Sequence, residues 1–434
     1  MGLIEQIRAA GVVGQGGAGF PTDRKLDCRA EIFIVNGIEC EPLLRTDRHL
    51  METRAADIVR TAEAIREHLG AKRAVIALKA HYTAACAALE KAVRGTETEL
   101  YRSDAFYPAG DEQNLVYRVT GRVVPTGGIP LDVGAVVSNA GTVCAVCDAM
   151  AGRPVTDKLV TVGGAVRTPV TLACPVGTPL AALAERAGGA EGDCLWIVGG
   201  PLMGRITEDL EEPVTKTTGG LLAIPRGHML AAKKTPSPRD AVLARAVCCQ
   251  CSRCTQLCPR NALGLNVQPH KAMRALASGN QALLGDVNGI FSCCDCGVCT
   301  YFACDFGLKP SQAMAAAKEQ LRRRALKPVK EVRFAPDPGA DLKRLPTARL
   351  LQRLDLARWD REAPLGGSVD CGRVRIPLKM HIGAPDRPLV AVGARVSKGQ
   401  PIAAPETGSM GAVIHASIDG TVTAVTEREI EIRR

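Results

Sequence analysis

The chain is poor in aromatic residues: Trp, Tyr and Phe make up 3% of its 434 positions. So few rings argue against the stacking platforms that grip single-stranded nucleic acid. Long apolar runs are also missing. No window holds the roughly 20 uninterrupted apolar residues that a helix needs to span a bilayer. Met1 to Ala10 carries charges and has no apolar stretch of about 7–15 residues, so no secretory signal is read there. Nor does one sign of charge dominate. Lys and Arg number 55 against 45 Asp and Glu, a net of +10. Part of that excess is local, at Arg322, Arg323, Arg324, Lys327, Lys330 and Arg333. It reads as a solvated helix end and linker rather than a patch for an acidic partner. These absences predict a cytoplasmic protein that meets neither membrane nor nucleic acid.

Cysteine is abundant, with 18 residues. In a reducing compartment such a number points to metal, cluster or catalysis before disulfides. At about 150 residues per domain, the length suggests two to four domains.

Residues 1–150 read as an α/β domain. Strands at Glu31–Val35 and Ala74–Leu78 alternate with helices at Ile4–Ala10, Asp47–Leu69, Thr83–Val93 and Asp111–Val119. Residues 151–230 are rich in Val, Thr, Gly and Pro and read as a small β-rich module with one helix near Pro179–Ala187. Residues 240–330 hold ten cysteines and several helices. Residues 331–373 carry Pro336, Pro338, Pro346 and Pro364 and read as a linker with one amphipathic helix around Ala348–Trp359. Residues 374–434 are β-rich with Gly turns.

Cys248, Cys251, Cys254 and Cys258 have the spacing C-x2-C-x2-C-x3-C, followed by Pro259. This is the run that binds iron–sulfur clusters in bacterial ferredoxins. A tight loop puts three thiolates on one face of a cubane, and the fourth points to the next cluster. A second run has Cys293, Cys296 and Cys299, then Cys304 after a gap of four residues. The expected pairing is crossed. Cluster one takes Cys248, Cys251, Cys254 and Cys304; cluster two takes Cys293, Cys296, Cys299 and Cys258. Cys249 and Cys294 are adjacent spares that could replace a neighbour. Structural zinc fits poorly, because zinc sites usually show separated C-x2-C knuckles. Two clusters imply an electron relay. A hydride donor delivers two electrons, so a flavin is expected to split the pair.

Gly14-Gln15-Gly16-Gly17-Ala18-Gly19-Phe20-Pro21-Thr22 is dense in glycine. Such a loop permits close backbone approach to an anion or a flat ring. No strand precedes it, so it is not the dinucleotide fingerprint. It resembles the FMN-binding loop of the NADH-oxidising subunit of respiratory complex I, and more closely the RnfC protein of the Rnf electron-transport complex. Further stretches carry the likeness. They are Val35-Asn36-Gly37-Ile38-Glu39-Cys40-Glu41-Pro42, Tyr107-Pro108-Ala109-Gly110-Asp111-Glu112-Gln113, Pro125 to Pro130 and Ser138 to Thr142. Val198 to Gly204 with Pro213-Val214-Thr215-Lys216 is similar to the soluble-ligand-binding β-grasp module of that family. The segment with Lys379 to Pro385 and Ile414 to Gly420 resembles the Rnf barrel-sandwich module, which here stands at the C-terminus. That order, and the wide gap before Cys304, resemble the cobalamin reductases of propanediol-utilisation microcompartments.

The resemblance implies a fold: an α/β flavin domain, a β-grasp module, a helical two-cluster ferredoxin-like domain and an all-β barrel-sandwich domain. It also implies site residues. Gly14, Gly16, Gly17 and Gly19 would line FMN, with Lys25 near its phosphate. Asn36, Glu39 and Cys40 would sit beside the ribityl chain, and Gly110, Asp111, Asn139 and Thr142 would complete the pocket. Phe20 would stack on nicotinamide, and Glu41 and Glu112 would face NADH. Complex I has Arg where Gln15 stands here. The implied activity passes electrons from NADH through FMN and two [4Fe–4S] clusters to cobalamin. The implied partners are an adenosyltransferase and microcompartment proteins, and the implied location is a microcompartment lumen. The rival readings are a peripheral, electron-entry component of an Rnf-type membrane complex and a non-enzymatic ligand-binding scaffold.

Smaller signals carry less. The last module resembles lipoyl and biotinyl carriers but has Ser409 and Met410 where they present a modifiable Lys. A docking role is expected there. His381 and His415, as lone histidines, read as structural before they read as cobalt ligands. Cys144 and Cys147 lack a second pair and read as buried thiols.

Overall fold

In the computed structural model, which describes residues 1–434, the first region forms a four-stranded parallel sheet. Its order is Thr98–Ser103, Arg73–Lys79, Ile32–Asn36, Ala135–Asn139. Parallel strands are buried on both faces, which explains the unbroken apolar runs. Phe33, Val35, Ile76, Leu78 and Val136 point into one core. Ile32, Ile34, Val75, Ala77 and Val137 point into the other. Asn36 and Asn139 are register partners at the carboxyl ends of adjacent strands. Open α/β sheets bind ligands at that edge.

The expected long helix from Asp47 is two helices, Thr46–Thr53 and Ala55–Leu69. The break falls at Arg54, whose guanidinium holds both oxygens of Asp148 at 2.9 Å. The strand Thr98–Ser103 escapes a reading by pattern because, at the sheet edge, it has little apolar content.

The second region is built on a six-stranded mixed sheet. Its helix, Leu180–Arg186, lies where the sequence suggests. The third region is a set of helices, among them Asp240–Val247, Pro269–Ser278 and Pro310–Arg323. The C-terminal region folds as a four-stranded and a three-stranded sheet around a core of its own.

The segment 331–373 is not an open linker. Leu365–Ser368 adds an edge strand to the second region's sheet, beside Val170–Pro175. The helix is shorter than expected, Thr347–Arg353. Leu350, Leu351, Leu354, Leu356 and Trp359 lie in the largest core, with Tyr107 of the first region and Cys296 of the third. Prolines set the extended stretches; the apolar residues between them decide where the segment packs.

Candidate functional site: a flavin cavity against a cysteine-rich wall

The carboxyl edge of the parallel sheet opens on a cavity of about 640 Å³. That lies within the range of about 300–1,000 Å³ usual for cofactor and ligand sites. All fifteen residues assigned by resemblance line it: Gly14, Gly16, Gly17, Gly19, Phe20, Lys25, Asn36, Glu39, Cys40, Glu41, Gly110, Asp111, Glu112, Asn139 and Thr142. Residues from far along the chain complete the walls, including Lys158, Gly199, Gly200, Thr217, Cys294 and Cys296.

The glycine loop has little room behind it and open space in front. A Cβ on Gly16 would lie 3.0 Å from the Asn139 side chain, whereas one on Gly17 would meet nothing within 4 Å. Gly110 is more constrained, since a Cβ there would lie 3.1 Å from Cys40 Sγ and closer still to the Ile38 carbonyl. The loop is anchored by Gln15, whose backbone N–H donates to Thr142 Oγ1 at 2.9 Å. Asn36 donates to the Gly110 carbonyl at 2.9 Å. Asn139 caps the helix Ala140–Met150 and donates to Asp47 at 2.7 Å. These bonds fix the cavity before any ligand enters.

Several groups are already committed. Cys40 Sγ accepts from Gly110 N–H at 2.7 Å, and burial pushes its thiol up to about 12. It is therefore a neutral wall residue at pH 7. Lys25 pairs with Glu112 at 3.0 Å, both part-exposed. Glu41 lines the cavity, but its carboxylate accepts from Leu202 N–H at 2.8 Å and Met203 N–H at 3.0 Å. It thus ties the second region to the first. Burial raises its pKa. Glu39 Oε1 accepts from the Thr46 N–H and hydroxyl, while Oε2 is buried with no partner. An orphaned carboxylate oxygen in a cavity wall suits a ligand hydroxyl, such as a ribityl chain carries. Residues and space together fit FMN.

Sequence reasoning missed two charged groups here. Lys158 Nζ reaches in from the second region and stands 2.5 Å from Gln15 Oε1. Burial lowers its pKa, opposed first by the charge of Asp47. Burial, then Glu39, raises Asp47. The only signal for Lys158 is a cation at the second position of the strand Asp157–Gly164.

The two cysteine runs pack against each other, with Cys254 of the first and Cys299 of the second in one small buried cluster. Burial pushes Cys254 up to about 12, and the next contributors are the charges of Cys304, Cys251 and Cys248. Burial also raises Cys299, followed by the charges of Cys293, Cys258 and Cys254. Gln250, Ser252 and Asp295 have left-handed backbones, with φ of 58°, 55° and 57°. Such kinks tighten the loops that carry the cysteines. No three Cys, His, Asp or Glu side chains converge as a single metal ion would require. The donor set, all sulfur, fits iron–sulfur clusters. Cys294 and Cys296 lie in the flavin cavity wall, whereas Cys249 and Cys251 are exposed.

Comparison with known proteins bears on this arrangement. The chain is 41% identical to the protein named cobalamin reductase PduS of Salmonella typhimurium, over 100% of this chain and 96% of the relative. The namesake from Citrobacter freundii is 39% identical over the same shares. The chain belongs to the cobalamin reductase PduS family. The C component of the proton-translocating ferredoxin:NAD(+) oxidoreductase complex of Clostridium ljungdahlii is 34% identical, over 59% of this chain and 55% of its own. Three domain families match: the Nuo51 FMN-binding domain at residues 7–148, a 4Fe-4S dicluster domain at 247–309, and the RnfC barrel sandwich hybrid domain at 362–433. In this PduS-family chain the cavity falls mainly within the first, and all eight expected ligands fall within the second.

His381 and His415 sit in the C-terminal module and do not line the cavity, although the backbone at His381 packs against Gly19. His381 pairs with Asp386 at 3.0 Å, both side chains fully buried. Burial lowers His415 to about 4. Cys144 and Cys147 are buried in the helix Ala140–Met150.

Proposed function

We propose that the chain is a flavin and iron–sulfur oxidoreductase that takes electrons from NADH and delivers them to cobalamin. When bound, FMN would accept the two electrons of a hydride and two [4Fe–4S] clusters would pass them on singly. The observation that carries the reading is the shared wall: Cys294 and Cys296 line the cavity that holds every expected flavin residue. Gly14 to Gly19 and the amides around them would cradle FMN, with Lys25 beside its phosphate. Asn36, Glu39 and Cys40 would face the ribityl chain, and Phe20 and Glu112 would meet the nicotinamide nucleotide at the open side. Glu41 serves there by holding the loop Val198 to Gly204 over the cavity. The exposed run at Cys249 and Cys251 is the exit toward the corrinoid.

The second region reads as a β-grasp module, and the third as a helical two-cluster ferredoxin-like domain. A microcompartment lumen, with an adenosyltransferase that consumes reduced cobalamin, completes the reading. No helix is long and apolar enough to cross a membrane. The barrel-sandwich module lies at the C-terminal end, which favours this assignment over an Rnf-type component.

The test is anaerobic reduction of cob(III)alamin by NADH, followed by absorbance. Protein carrying flavin and iron should reduce it catalytically. Failure with NADH but success with dithionite-reduced protein would redirect the donor. Failure with both would reject the function.

A further inference from the structure

The helix Pro259–Ala262 follows Cys258 directly and carries Arg260. Arg260 is buried, 8% exposed. Its guanidinium crosses from the cysteine-rich region to the flavin cavity and grips Asp111 with both forks, each at 2.7 Å. Asp111 lines the cavity and caps the helix Glu112–Thr120. On its other side Arg260 donates to the carbonyl of Ser292 at 3.4 Å, one residue before Cys293. Besides Asp111, the charges that act on it are those of Cys294 and Cys293. One fixed cation therefore stands between the flavin wall and the sulfurs of cluster two. Arginine stays charged at any working pH and holds a carboxylate in bidentate geometry.

We propose that Arg260 is a positioning residue. Clamped by Asp111, it holds the cluster ligated by Cys258, Cys293, Cys296 and Cys299 against the flavin and raises that cluster's reduction potential, making it the first acceptor. In that step the flavin loses one electron and the cluster gains one. No bond forms or breaks. The added negative charge appears in a buried site, where a fixed cation acts with little screening. Asp111 partly offsets that cation and sets its effect. Lys318 also reaches this cluster's loop, donating to the Cys293 carbonyl at 2.7 Å, but its charge is shared with Asp295 at 2.8 Å.

This inference rests on the two-cluster reading and not on NADH or cobalamin. The test is a potentiometric titration of cluster-bearing protein with dithionite and mediators, read by EPR. Arg260→Gln should make one of the two clusters about tenfold harder to reduce, a fall of ~59 mV for one electron, and leave the other unmoved. Asp111→Asn should move the same cluster the opposite way, because Arg260 then acts unopposed. A merely structural salt bridge would not give shifts of opposite sign. Should Arg260→Gln lose its clusters, Asp111→Asn alone decides. Unchanged potentials, equal shifts of both clusters, or a fall in Asp111→Asn would overturn the assignment. Absence of two cluster signals in the unmutated protein would instead overturn the two-cluster reading.

Discussion

The hydroxyl of Tyr107 donates to the backbone carbonyl of Cys296 at 2.7 Å, with both groups buried. Tyr107 belongs to the flavin region and Cys296 is an expected ligand of the flavin-proximal cluster. The bond fixes how one redox region seats on the other. Tyr107→Phe keeps the ring and leaves that carbonyl unpaired. An unpaired buried acceptor costs about 1–3 kcal/mol. The variant should unfold at a lower denaturant midpoint while keeping its iron.

The crossed ligand sets predict paired losses. Cys258→Ala should remove the same cluster as Cys296→Ala, although the two belong to different runs. Cys304→Ala should remove the cluster that Cys251→Ala removes. Iron content should fall by about half in each, and EPR should show which signal is missing. If Cys258→Ala and Cys251→Ala removed the same signal, the pairing would be uncrossed.

Lys216 gives a prediction in pH. Its ammonium is buried and donates to the carbonyls of Gly11 at 2.7 Å and Val413 at 2.8 Å, joining three regions. Burial lowers its pKa from 10.5 to about 7. Between those values the unfolded chain binds more protons than the folded one, so stability rises with pH. The slope is at most about 1.4 kcal/mol per pH unit. The penalty is complete below pH 7 and gone above 10.5. Lys216→Met should abolish this component, so the stability difference between the two proteins should vary with pH in that window. Urea melts at pH 7.5 and pH 9.5 would show it.

Lys158→Met removes a buried cation that donates to Gln15 Oε1 and whose charge acts on Asp47. Gln15 Oε1 then loses its donor, and a buried polar atom left unpaired costs about 1–3 kcal/mol. The variant should be less stable, and its flavin content should fall because Gln15 loses its anchor. Flavin released on heating, measured per chain, checks this.

Much of this was legible because some chemistry demands spacing. Cysteines at two-residue gaps and the dense glycines of Gly14 to Gly19 declare themselves in one dimension. Two of the four parallel strands, Ile32–Asn36 and Arg73–Lys79, did so through apolar runs long enough to be buried on both faces. Lys158, Asp47 and Arg260 did not, because each matters through partners more than 30 residues distant and no local pattern marks them. The segment 331–373 misled because its prolines are local signals, whereas the burial of Leu354 and Trp359 is tertiary. Glu41 lines the cavity, yet its bonds to Leu202 and Met203 depend on a loop far along the chain that no local pattern marks.

Single-turnover oxidation tests the relay most directly. Fully reduced protein, free of excess reductant, is mixed with cob(III)alamin, and flavin and cobalamin absorbance are followed together. Flavin should reoxidise as cobalamin is reduced in the native protein. In Cys304→Ala, shown by iron content to lack the exit cluster, flavin should stay reduced. Reoxidation at the native rate in that variant would show that electrons bypass the clusters, and would contradict the account.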